Sequence, residues 1–410
     1  MLNETLTLDG LVPVSVESPD SAEAIASILK NANAANQLVV PVGGSTMLEL
    51  GAPLARADIA LDLTHLDRVL DYQPANLTVQ CEAGLTLEAL NRVLGAQGQM
   101  LPLDPPFPAR ATLGGILATN ASGALRVRHG SARDLLIGLR VALADGGILK
   151  GGGQVVKNVA GYDLPKIFIG SLGTLGVIVE TTFKLVPVPR TRATMIATFS
   201  TLSAANQTAQ KILGSPLLPL GVRMLNQSAA HLINAGDDPF TLFIRFGGIA
   251  SAVQRQLREV EKWSRDNGSL FLRIDDVDDE LWARLGDFTF DQANVVKVGV
   301  LPAEIPAVGA RVEELARQYQ LGPLLSADGV GILYIALAGD DTPVANAVTA
   351  LREFVRGRGG HLVIQRGSRQ LRTNVGVWGP ARAETAAMHK LKQVFDPGHI
   401  LNPGRFVDGI

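Results

Sequence analysis

Cysteine is almost missing from this chain. Cys81 stands alone among 410 residues, so an intrachain disulfide, a Cys-ligated zinc site and an all-cysteine cluster are excluded. A reducing compartment is the natural home. A surplus of either charge is missing too. Lys+Arg 37 against Asp+Glu 39 leaves a net charge of −2, which argues against a nucleic-acid binder, because neutralising phosphates takes a basic excess. No stretch approaches the roughly 20 apolar residues of a membrane span. The start, MLNETLTLDGLVPV, has no basic segment and no apolar run, so a signal peptide is not expected. Six histidines are scattered with no two three or four apart, so a helical His-pair metal site is not expected. Also missing are a Walker A lysine, a G-x-S-x-G elbow, and a strand-borne G-x-G-x-x-G with its later acidic partner.

What is there is a well-patterned chain, 47% hydrophobic and 19% charged, which excludes disorder. Its length suits two or three units of about 100–200 residues. Glycine is abundant, 43 of 410, against a typical ~7%. It bunches in 43–51 and 114–176, where backbone lying against a ligand is one reading.

The first half reads as alternating helix and strand. A helix is predicted over 20–35, with Asp20 and Glu23 as its capping box. Strands follow at 38–40, around Ile59–Leu63, and at Leu77–Cys81, where Cys81 is a core thiol. A helix from Leu87 to Leu94 stops at Gly95. Two further strands are predicted at Leu139–Ala144 and Val177–Leu185, and VPVPRT at 186–191 marks a boundary. Residues 192–367 change texture. Strands near 194–199, 221–225, 241–247 and 269–274 alternate with helices 202–213 and 250–266. The pattern recurs as strand 294–300, helix 303–319, strand 331–337, helix 342–357 and strand 361–366, its middle strand weak. Two related βαββαβ units and a coincidence of ordinary alternation both fit. The tail is distinct: Met388, Leu391 and Phe395 form a helical stripe ending at Pro397-Gly398, and HILNPGRF turns at Asn402-Pro403-Gly404.

Three segments carry the chemistry. In VVPVGGSTMLELG (39–51), a strand feeds Gly43, Gly44, Ser45 and Thr46, whose successive N–H groups suit an anion nest, though a plain tight turn has the same letters. In TLGGILATNASG (112–123), small residues let backbone lie against a planar ring, or let a helix pack closely on a sheet. In GSLGTLGVIVE (170–180), Gly170, Gly173 and Gly176 recur every three residues before a strand.

Together, in this order, these segments resemble the FAD-binding family of vanillyl-alcohol oxidase and p-cresol methylhydroxylase. LADGGI and HKLKQVFDPGHILNPGRF match as well, so the likeness spans nearly the whole chain. Within the family it is most similar to FAD-binding subunits of bacterial glycolate oxidases. The resemblance implies an α+β fold: a two-subdomain FAD-binding unit over 1–188, an α+β cap with antiparallel sheet over 189–380, and a return to the first unit over 381–410. It implies diphosphate contacts at Val42, Gly43, Gly44, Ser45 and Thr46. Gly114, Gly115, Thr119, Ser122 and Gly123 would lie along the FAD, with the Ile178 backbone at the flavin. Members that link flavin covalently use a histidine in the first loop. Here Ser45 and Thr46 stand there, so non-covalent FAD is expected.

Two departures qualify the likeness. Related autonomous dehydrogenases carry a His-rich stretch around G-D-G-N that binds a metal; the nearest text here, AGDDTP at 338–343, lacks histidine. Leu172 also replaces an acidic residue common in relatives. The implied function is the FAD subunit of a complex oxidising glycolate or D-lactate, with a second FAD-containing subunit and an iron–sulfur subunit as partners. The expected location is the cytoplasm, reaching the inner face of the membrane through those partners. An autonomous FAD-linked D-2-hydroxy-acid dehydrogenase and a flavin-holding structural subunit remain as alternatives. No metal is expected. Arg223, Arg245 and Arg372 are candidate clamps for a substrate carboxylate, since a guanidinium fork binds both oxygens, and Tyr162 is a candidate near the flavin. For each, an ordinary surface or structural role is the plainer reading.

Overall fold

The computed structural model describes residues 6–153, 164–275 and 279–410. The chain divides into two compact units, one of residues 1–122, 130–188 and 380–410, the other of 123–129 and 189–379. The short stretch 123–129 therefore clusters with the second unit, although it sits deep in the first unit's sequence.

The first unit holds a parallel sheet and an antiparallel one. Strands β1 (Ser15–Glu17), β2 (Val39–Val42) and β3 (Ile59–Asp62) pair in parallel, β3 in the middle. The intervening helix Ala22–Ala34 buries Ile25, Leu29 and Ala32, and each large apolar side chain so buried contributes about 1.5–3 kcal/mol. Its cap is Ser21, whose side chain accepts from the Ala24 N–H at 3.3 Å; the expected Asp20–Glu23 box is not the one used. The second sheet contains β4 (Val69–Gln73), β5 (Thr78–Glu82), β7 (Leu136–Ala142), β8 (Ile148–Gly152) and β9 (Val177–Lys184), in the order β4-β5-β9-β7-β8. A small ribbon joins β6 (Gln99–Met100) to β10 (Val186–Pro187). Helix Leu87–Gly95 includes Gly95, and the left-handed glycine that follows is Gly98 at φ +65°. Leu77 is itself left-handed at φ +53°, which is why β5 starts one residue later than the alternation suggests.

The second unit is one eight-stranded sheet: β11 (Thr191–Phe199), β12 (Gly221–Asn226), β13 (Phe240–Gly248), β14 (Phe271–Asp275), β15 (Val295–Gly299), β16 (Gly322–Ala327), β17 (Ile332–Ala338) and β18 (His361–Arg366). Its order is β14-β11-β13-β12-β16-β17-β15-β18. Each half is thus βαββαβ in its strands and long helices, the first adding a short helix, Gln227–Leu232, between β12 and β13. The four strands keep the same relative order, mirrored about the β12–β16 junction. The recurrence seen in the sequence is a repeat of structure. The weak middle strand is β16, masked by Gly322 and Pro323. Pro323 lies before the two residues that pair with β12 (Met224↔Ala327, Leu225↔Ser326), so its missing N–H costs the ladder nothing there. Asn226 extends the junction: its amide accepts from the Leu325 N–H at 3.0 Å and donates to the Pro323 carbonyl at 3.0 Å. Helices Leu202–Leu213, Ala250–Asp266, Ile305–Tyr319 and Asp341–Arg356 cover one face through a single core that includes Val222 and Met224. No helix among the described residues is long and apolar enough to cross a membrane.

Candidate functional site

In the first unit, three loops and the C-terminal turn converge. Strand β2 delivers Gly43, Gly44, Ser45 and Thr46, which line a cleft together with Thr112, Thr119 and Asn402. Ser45 is left-handed at φ +57°, the local twist that turns successive N–H groups toward a common point. Gly43 and Gly44 serve a close approach. A Cβ on Gly43 would meet Thr112 Oγ1 at 2.3 Å, and one on Gly44 would meet the Arg110 carbonyl oxygen at 1.6 Å. The space behind Gly44 is therefore filled by the chain itself and not by the cleft.

The second loop is a helix, Leu113–Thr119. Thr112 caps it by accepting from the Gly115 N–H at 3.3 Å, and Thr119 Oγ1 donates to the Gly115 carbonyl at 2.7 Å. Its start is pinned by the Gly114 N–H to the Ala83 carbonyl at 2.7 Å. The third loop is pinned to the end of the same helix: the N–H groups of Gly170 and Leu172 donate to the carbonyls of Leu117 and Ala118 at 2.8 and 2.9 Å. A Cβ on Gly176 would meet Val141 Cγ1 at 2.4 Å, so its glycine seats the loop against β7. A second cleft, lined by Leu63, Gly114, Gly173, Gly176 and Ile178, shares Pro41, Gly43, Thr112, Gly115, Ala118 and Leu172 with the first. The expected cofactor residues Val42, Ser122 and Gly123 line neither cleft: Val42 and Ser122 are buried, and Gly123 opens the stretch that clusters with the second unit.

The C-terminal segment locks this arrangement. Lys392 is fully buried, and its ammonium donates to the Thr174 carbonyl (2.8 Å), the Leu401 carbonyl (2.9 Å) and Asp396 Oδ2 (2.7 Å). Asp396 in turn accepts from the N–H groups of Ile400 and Leu401 at 3.1 and 2.8 Å. Burial pushes the Lys392 pKa down, against the pull of Asp396. Arg405 donates to Asp9 at 2.5 Å and to the Leu48 carbonyl, tying the turn to the residues after the first loop. Among the described residues, none of the clefts' walls offers a histidine or cysteine, and no group of three or more His, Cys, Asp or Glu is arranged for a metal.

In the second unit, the sheet face opposite the four long helices carries a few buried polar side chains, Arg223, Arg245 and Thr194, beside an apolar cluster that includes Ile196, Leu225 and Phe243. Arg223 lies between Val222 and Met224 of the helix-side core, so alternation turns it the other way. It is 4% exposed, and its Nε has no hydrogen-bond partner. Continuing the β12–β16 register sets Asp328 opposite it. Asp328 is 2% exposed, with Oδ1 accepting from the N–H groups of Val330 and Ile332 at 3.0 and 2.9 Å. Burial raises its pKa, opposed by the nearby Arg223, those two N–H groups and Arg126. Asp328 was not found from the sequence because its placement depends on β16. Helix Arg126–His129 packs on β12, and burial, aided by Arg128, lowers the His129 pKa, so the imidazole is neutral at neutral pH.

The other candidates are engaged. Arg245 pairs with Asp279 and lies 5.7 Å from the ring centre of Trp282, whose Nε1 donates to Thr194 at 2.7 Å. Arg372 donates from Nε to the Gly367 carbonyl at 3.1 Å. Tyr162 lies outside the described residues.

The cleft fits a dinucleotide on structural grounds: a loop left-handed at Ser45, glycines that bring three backbones together, and an unsatisfied acceptor in the wall, Asn402 Oδ1. Comparison with known proteins agrees. Residues 13–152 match the FAD binding domain family, and residues 188–342 and 378–406 match the C-terminal domain of FAD linked oxidases. The chain belongs to the FAD-linked oxidases. It is an FAD-dependent oxidoreductase with the fold of p-cresol methylhydroxylase, whose substrate-bound crystal structure superposes with a TM-score of 0.77 over 95% of this chain and 88% of that one, at 16% identity. Among curated relatives, the glycolate oxidase subunit GlcD of Bacillus subtilis (strain 168) is 26% identical over 96% of this chain and 89% of its own. The probable mitochondrial D-lactate dehydrogenase of Danio rerio is 29% identical, over 97% and 84%. The glycolate oxidase subunit GlcE of Escherichia coli (strain K12) is 27% identical, over 94% and 97%.

Proposed function

We propose that this chain is the FAD-binding subunit of a cytoplasmic complex that oxidises glycolate, or D-lactate, to the 2-oxo acid. The observation that carries the substrate class is Arg223, a buried guanidinium with an unpartnered Nε on the sheet face away from the four long helices. A small 2-hydroxy carboxylate is the ligand such a fork suits. Bound FAD supplies the hydride acceptor. The first unit holds it without a covalent link: the loop at Gly43, Gly44, Ser45 and Thr46 receives the diphosphate through its N–H groups, while Gly114, Gly115, Thr119 and the Ile178 backbone flank the remainder. Val42, Ser122 and Gly123, which line neither cleft, lie outside those contacts. The second unit holds the substrate. Arg223 orients its carboxylate, and Asp328 takes the hydroxyl proton at Oδ2, since Oδ1 is occupied by the Val330 and Ile332 N–H groups. A carboxyl whose pKa is raised by burial is suited to that exchange.

Electrons leave through partners. Cys81, the single cysteine, is buried with its pKa pushed up to about 12, so an iron–sulfur cluster belongs to another chain. A second flavin-containing subunit completes the assembly, and the likeness to subunits named GlcD and GlcE supports that reading.

The test is glycolate:dye reductase activity of the purified chain, alone and co-expressed with both partners. Low activity alone, restored in the complex, is expected. In the complex Arg223→Met should lower kcat/KM about 10–100-fold, the loss of one charged hydrogen bond of about 1.5–3 kcal/mol, with FAD content unchanged. Full turnover by the chain alone would establish an autonomous dehydrogenase instead. An Arg223→Met complex with wild-type activity would leave the chain a flavin holder.

A further inference from the structure

Asn402 belongs to the C-terminal turn, far in sequence from the three glycine loops, yet it lines the cleft beside Gly43, Ser45 and Thr119. It is 7% exposed and left-handed at φ +44°. Its Nδ2 donates to the Leu172 carbonyl at 2.7 Å. A carbonyl only accepts, so the amide orientation is fixed and Oδ1 is the atom left over. That oxygen is buried with no partner. An acceptor held in such a state is costly unless something donates to it.

We infer that Asn402 Oδ1 accepts a hydrogen bond from the adenosine half of FAD. The diphosphate has no donor to offer at neutral pH, which leaves the sugar hydroxyls, the adenine amino group and the flavin end. The two clefts decide between the ends: the one containing Ile178 does not include Asn402, and the one containing Asn402 does not include Ile178. With the flavin at Ile178, as the proposed function has it, Asn402 lines the part of the site formed with the Gly43–Thr46 loop, away from that end. Asn402 is then a specificity-determining residue: it favours FAD over FMN, which lacks that half.

The inference rests on the FAD reading, and its test separates the two. Flavin-free full-length chain is titrated with FAD, with FMN, and with FAD analogues carrying 2′-deoxyribose, 3′-deoxyribose or hypoxanthine in the adenosine half. One analogue should bind about tenfold or more weaker than FAD, identifying the donor as a hydroxyl or the amino group. Asn402→Leu should weaken FAD by a similar factor and leave FMN affinity unchanged. If all three analogues bind like FAD, the inference is overturned even should Asn402→Leu fail to fold. If the wild-type chain does not bind FAD at all, the underlying reading falls instead.

Discussion

Glycine at position 44 is more demanding than its letter suggests. A diphosphate contact at Gly44 suggests that a side chain there would intrude on the ligand. The geometry instead aims it at the Arg110 carbonyl, 1.6 Å from where a Cβ would stand. Charge is therefore not needed to break the loop. Gly44→Ala should already lower the unfolding temperature by several degrees and weaken FAD binding, both readable by a thermal melt with and without added FAD. A variant that melts and binds like wild type would mean that the 43–46 loop and residues 110–112 separate freely. The same residue shows the limit of reading a motif. The letters GGST announce a place where backbone comes close to something, but what it approaches is set by a segment some 65 residues away.

Among the elements, those with a strong period were legible. The long amphipathic helices and the buried strands of the second unit fall where their apolar spacing puts them, because packing against a sheet is what that spacing serves. The short pieces were not. Strand β16 begins Gly322-Pro323, and its seam with β12 is extended by Asn226. Helix Leu113–Thr119 is so rich in small residues that it also reads as a loop. The helix Thr385–Phe395 was legible by its stripe, but Lys392, on that helix, reads from sequence as an ordinary surface lysine. Its burial with Asp396 makes a test at this scale. Lys392→Met leaves Asp396 uncompensated and should cost about 3–5 kcal/mol in denaturant unfolding, with part of the loss recovered in Lys392→Met/Asp396→Leu. Burial holds the Lys392 pKa below 10.5, so between the two values the unfolded chain binds more protons and stability rises with pH. The methionine variant should lose that slope.

For the molecule as a whole, the change of texture near residue 190 and the return of the tail were both legible, and the family likeness covered the cofactor. What composition could not reveal is how far the first unit depends on its last residues. Ile400 and Leu401 sit in its core, and the chain there runs beside β2, with the Val39 N–H donating to the Ile400 carbonyl at 2.8 Å and the Asn402 N–H to the Val39 carbonyl at 3.0 Å. A chain ending at residue 379 should fail to retain FAD on gel filtration, whereas the second unit's own core is untouched. Retention of flavin by that truncated chain would contradict the lock described above.

The mirrored strand order of the second unit reaches further than packing. One βαββαβ half pairing edge to edge with its own copy would build this same strand order, but every contact across the seam would then be repeated on the other side of a two-fold axis. An arginine set opposite an aspartate, as Arg223 is to Asp328, would have to occur twice. Joining the halves in one polypeptide removes that constraint. Each side of the seam is free to diverge, and the sheet presents the pair of Arg223 and Asp328 once, an asymmetry that a dimer of identical halves could not hold.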